Sequence, residues 1–139
     1  MKNKERPFLI LIKLWKWFHI LAIIANVIIL LRSFICRDYI VRKIWELSSQ
    51  TPIFSSSTMV VMQIFGLILS ILIVYGIIKI KKMGFYVSLI DITYIDIIYL
   101  MYLRKATSAY IFIVYLIGIL IYTSIGYIFY KERKFFHID

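Results

Sequence analysis

The chain has 139 residues, of which 63% are apolar and 17% charged, with a mean hydropathy of +0.90 and a formal net charge of +10. An ordinary soluble domain carries about 25% charged residues, so this composition has too little polar surface for a water-soluble globule, and a soluble enzyme is excluded. At about 20 residues for each crossing of a hydrocarbon core, four spans and their loops use nearly the whole of these 139 residues.

The first apolar run is free of charge from Trp17 to Leu31. As a helix it reaches about 22 Å, short of a core about 30 Å thick. The first span is therefore extended back to cover about 14–31, with Lys13 and Lys16 snorkelling at its inner end and Trp15 and Trp17 at the interface. No small-residue cleavage site follows it, so the span is expected to be retained. Cys36 is the single cysteine, which excludes an internal disulfide, and the residues before it lack the small-residue pattern of a lipoprotein signal.

Between Asp38 and Leu47 a helical wheel gathers Ile40, Val41, Ile44 and Leu47 on one side and Asp38, Arg42, Lys43 and Glu46 on the other. This predicts a short amphipathic helix at about 38–47, lying in the outer interface with Trp45 at its boundary. The Ser- and Thr-rich stretch Ser48–Thr58, with Pro52 inside it, predicts a loop ending at a helix start near Ser57 or Thr58. The second span then covers about 59–78 and stops at Lys79, Lys81 and Lys82. With Gly84 following, this is a tight elbow that makes spans two and three antiparallel neighbours. The third span covers about 83–103, closed by Arg104 and Lys105, and the fourth about 109–130, closed by Lys131, Glu132, Arg133 and Lys134.

Of the 17 Lys and Arg, eleven fall on the side of the N-terminus, the second loop and the C-terminus, against six in the first and third loops. The positive-inside rule then places both termini in the cytoplasm. Lys13, Lys16, Lys79, Lys81, Lys82, Lys131, Arg133 and Lys134 are the basic anchors expected to face anionic headgroups. The ending Lys131–Phe136 is basic and aromatic, but cations placed at a span end are explained by lipid, and no nucleic-acid partner is expected.

Two acids stand apart from this pattern. Asp91 and Asp96 lie near the midpoint of span three, where a charge costs at least about 2.5–3.5 kcal/mol on insertion scales. Five residues separate them by about 140° around a helix and about 7.5 Å along it, so they do not form a catalytic carboxylate pair. Ser88 and Tyr99 fall in the arc between them, making one broad polar wedge that must face protein or water. By depth, Asp91 is level with His19, Thr123 and Ser124, and Asp96 with Asn26 and Gln63. His19 itself is expected to be a satisfied residue near the inner end of its span. Asp91, Asp96, Ser88, Tyr99 and Asn26 form the candidate intramembrane polar site.

Small residues suggest close helix contacts: Ala22 and Asn26 in span one, Gly66 and Ser70 in span two, Gly118 and Gly126 in span four. Tyr86, Tyr102, Tyr110, Tyr127 and Tyr130 sit near span ends, as an interfacial belt requires. Tyr94, Tyr99, Tyr115 and Tyr122 are deeper, and each hydroxyl needs a partner there. One Cys and two His supply no metal site of familiar spacing, and no cofactor is expected.

The Arg6-Pro7 start, the elbow Gly76–Tyr86 and the ending Tyr130–Phe136 together resemble small uncharacterised four-span integral membrane proteins of bacteria and archaea. That resemblance implies the fold and no activity. The expectation is an all-α, integral membrane four-helix bundle in the cytoplasmic membrane. It is taken as a non-enzymatic accessory, assembly or interaction component that packs against itself or another membrane protein. The alternative is a small oligomeric proton-coupled or cation-handling transporter or channel using Asp91 and Asp96.

Overall fold

The computed structural model describes residues 5–35, 56–106 and 108–138, with side chains described over 7–32 of the first segment and from residue 58 in the second. Four helices follow in order: α1 (Glu5–Ile35), α2 (Ser56–Lys79), α3 (Lys81–Arg104) and α4 (Ala109–Lys131), then a short 3-10 helix at Arg133–Phe136. Each of the four is long and apolar enough to cross a membrane, with mean hydropathy between 1.5 and 2.5. The lowest value belongs to α3, which carries both aspartates. The protein is a multi-pass, all-α membrane protein of four packed spans. The amphipathic helix expected at about 38–47 lies outside the described residues.

Helix α1 is longer than the expected span of about 14–31. Its 31 residues reach about 46 Å, and Pro7 is tolerated because the first turn has unpaired N–H groups in any case. Phe8, Ile12, Trp15 and His19 recur at helical spacing on one face and are all buried. The Phe8 ring stands edge-on to Phe129, Phe135 and Phe136 at 5.4 to 6.0 Å. The extra turns are therefore held by aromatic packing, and Trp15 sits inside the bundle while Trp17 stays exposed.

Ile80 alone separates α2 from α3. The Ile80 N–H donates to the Gly76 carbonyl and the Gly84 N–H to the Ile80 carbonyl, both at 3.0 Å. A Cβ at Gly76 would lie 2.5 Å from the Gly84 nitrogen, and one at Gly84 would lie 2.8 Å from the Gly76 carbonyl carbon. The expected elbow is thus a backbone-to-backbone contact that admits only hydrogen at both positions. At the other end of the bundle Ser108 caps α4, its Oγ accepting from the Ile111 N–H at 3.3 Å.

Consecutive helices pack on one another, α1 on α2, α2 on α3 and α3 on α4. The circle is completed by side chains, with Phe129 and Tyr122 of α4 reaching the Trp15 ring at 5.8 and 6.1 Å. Phe136 is buried among Phe8, Phe85 and Phe129, and the Lys81 ammonium lies 4.6 Å over the Phe135 ring. The start of α1, the α2–α3 elbow and the end of the chain are therefore gathered at one end of the bundle.

Candidate functional site

The buried face of α1 decides what surrounds Asp91. Trp15 donates its indole N–H to Ser88 Oγ of α3 at 3.1 Å. One turn further on, His19 places Nδ1 3.1 Å from Ser70 Oγ of α2 and Nε2 3.6 Å from Asp91 Oδ2 of α3. His19 is 2% exposed, Ser70 4%, Ser88 0% and Asp91 3%, so all four polar residues are inside the bundle. Trp15 walls this cluster, its ring edge-on to the imidazole at 4.6 Å. Neither Nε2 of His19 nor Oδ2 of Asp91 has a hydrogen-bond partner.

Asp96 belongs to a different interface. Its Oδ2 accepts from Thr123 Oγ1 of α4 at 3.0 Å, while Oδ1 is buried without a hydrogen-bond partner. Tyr99 packs on the same helix, against Tyr115 and Tyr122 at 5.5 and 5.9 Å. Its ring occupies the space a Cβ at Gly118 would need. The single polar wedge expected on span three is therefore divided: Ser88 and Asp91 turn to α1, Asp96 and Tyr99 to α4.

Of the residues matched to Asp91 by depth, His19 faces it and Thr123 does not. Thr123 meets Asp96 rather than standing beside Asp91, and the Ser124 hydroxyl donates to the Leu120 carbonyl of its own helix at 2.6 Å. The reason is register. Tyr102 stacks on Tyr115 and Ile92 approaches Gly126, so α4 pairs with α3 more than a turn beyond the alignment of their ends at the connecting loop. Asn26 is half-buried on α1, and Asp96 takes its hydrogen bond from Thr123 instead. Tyr94, whose hydroxyl needs a partner at this depth, donates to the Met62 carbonyl of α2 at 3.2 Å.

Trp15, His19 and Ser70 complete the Asp91 cluster but were not among the expected site residues. The spacing Phe8, Ile12, Trp15, His19 was the available signal, since it puts His19 on the stripe that an apolar helix buries. Ser70 was a packing position in the sequence and is a hydrogen-bonding one in the fold. Gly66, paired with it by spacing, has nothing within 4 Å of its would-be Cβ.

Fold and site together define a multi-pass membrane protein with buried polar groups between its spans. No protein-family model, no curated protein and no solved structure matches the chain.

Proposed function

We propose that the protein is a non-enzymatic membrane component that acts through contacts of its helices with itself or with another membrane protein. The observation that carries this reading is the use of its intramembrane polar side chains. Trp15, Tyr94 and Thr123 each spend their donor on a neighbouring helix of the same chain, and the outward faces of all four helices are apolar. Both termini lie in the cytoplasm in this reading, because the basic residues near the α1 start, the elbow and the chain end share one end of the bundle. There Lys13, Lys79, Lys81, Lys82, Lys131 and Lys134 are exposed, and they meet anionic headgroups. Crosslinking in native membranes tests the reading: a specific oligomer or heteromeric product supports it, and recovery of monomer alone contradicts it.

A second reading is favoured by one observation, the buried oxygens Asp91 Oδ2 and Asp96 Oδ1 that lack hydrogen-bond partners. Intramembrane acids with spare acceptor capacity suit a small proton-coupled or cation-handling transporter. In proteoliposomes, Asp91→Asn or Asp96→Asn abolishes flux under this reading while expression is retained. No pH-dependent ion or solute movement by the unsubstituted protein contradicts it.

A further inference from the structure

The cluster joining α1 to α3 holds two polar atoms that packing leaves unmatched. His19 Nε2 and Asp91 Oδ2 face each other at 3.6 Å, each buried and each without a hydrogen-bond partner. That separation is beyond a hydrogen bond, and a half-satisfied polar network is costlier than an apolar core. The two atoms are nevertheless complementary to one object. In the tautomer that carries its proton on Nδ1, toward Ser70 Oγ at 3.1 Å, the lone pair of neutral Nε2 points toward the carboxylate. A single proton placed there satisfies both groups, either as a carboxyl O–H donating to Nε2 or as an imidazolium N–H donating to carboxylate. Its arrival from water takes the pair from a net charge of −1 to zero, the state a low-dielectric interior favours.

We propose that His19 and Asp91 form a one-proton binding site that clasps α1 to α3, and that loading or emptying it requires those helices to part. Enclosure supplies the coupling. At 2% and 3% exposure neither residue meets solvent, so a proton reaches them only through a gap between the helices. Around the pair, Trp15 of α1 packs edge-on to the imidazole and donates to Ser88 of α3, Ser70 of α2 meets Nδ1, Tyr122 of α4 packs against Trp15, and Tyr94 of α3 turns its hydroxyl to the Met62 carbonyl. Among the described residues no Lys or Arg pairs with Asp91, and His19 is its only ion-pair partner. The site shares Asp91 with the transport reading but differs from it in action, since a proton bound here reports acidity or locks the bundle without crossing the membrane.

The test uses the full chain in lipid nanodiscs with nitrogen-15 in the histidine rings. His137 near the chain end is exposed and provides the reference signal in the same molecule. His19 is expected to show one protonation transition, and Asp91→Asn is expected to move it by at least tenfold in proton concentration. Spin labels on the exposed faces of α1 and α3 should report a separation that changes through the same transition and stops changing in Asp91→Asn. A His19 transition unmoved by Asp91→Asn, or a constant interhelical distance through it, overturns the proposal. If Asp91→Asn does not assemble, Asp91→Glu keeps the carboxyl and must displace the transition, and an unmoved transition overturns the proposal equally.

Discussion

Asp91 and Asp96 are five residues apart on one helix, yet they meet opposite surroundings. Asp91 is enclosed by α1, where among the described residues the facing charge-bearing group is His19 at 3.6 Å. Asp96 is half-buried toward α4 and already holds a hydrogen bond from Thr123 at 3.0 Å. The difference teaches that depth in the membrane does not set what an intramembrane acid does. The rotation of five residues about the helix, about 140°, selects the neighbouring helix, and the neighbour selects the partner. Asp91 is committed to an imidazole that can itself carry a proton. Asp96 is committed to a hydroxyl that can only donate or accept a hydrogen bond.

The sharpest way to break this contrast is to remove the wall around the Asp91 cluster. Trp15→Ala deletes a side chain that is 4% exposed and should cost about 3–5 kcal/mol, read as a lower midpoint in thermal or detergent unfolding. The Asp96 side has its own steric control in Gly118. Gly118→Ala drives a methyl into the Tyr99 ring and should cost about 1–3 kcal/mol by overpacking. Gly126→Ala, where the new atom would sit 3.4 Å from Ile92 Cγ2, should be much milder in the same assay. Asp91→Leu replaces the polar group that faces the buried His19 nitrogen with an apolar one and should cost about 1–3 kcal/mol. Smallest of all, Asp96→Asn keeps an acceptor for Thr123 and should cost less than about 1 kcal/mol. Equal losses for the two aspartate variants would erase the distinction between the interfaces.

How much of this was legible in the sequence follows from which signals are local. Four long apolar helices and the α2–α3 elbow came from runs of apolar residues broken by Lys, Arg and Gly, which depend on no partner; the early start of α1 at Glu5 did not. That His19 lies level with Asp91 was also legible, because α1 and α3 run in the same sense and can be matched by depth, but by itself His19 reads as a satisfied residue near a span end. What failed depended on register. The α3–α4 pairing is set by Tyr99 against Gly118 and Ile92 against Gly126, contacts that no count of residues from a loop can supply. The burial of Trp15 was hidden for a different reason. Beside Lys13 and Lys16 it has the look of an interfacial anchor, and only the returning Phe129 and Phe136 make that end of the bundle an interior.

The most direct measurement is a double-mutant cycle on unfolding in bilayer-like lipid, comparing His19→Gln and Asp91→Asn with the double variant. Groups that act as one unit are non-additive, with an interaction energy of about 0.5–3 kcal/mol. Such coupling between residues 19 and 91 is the predicted result, with Asn26→Ala and Asp96→Asn combining additively as the control. Additive behaviour of His19 and Asp91 would contradict their assignment to one buried site.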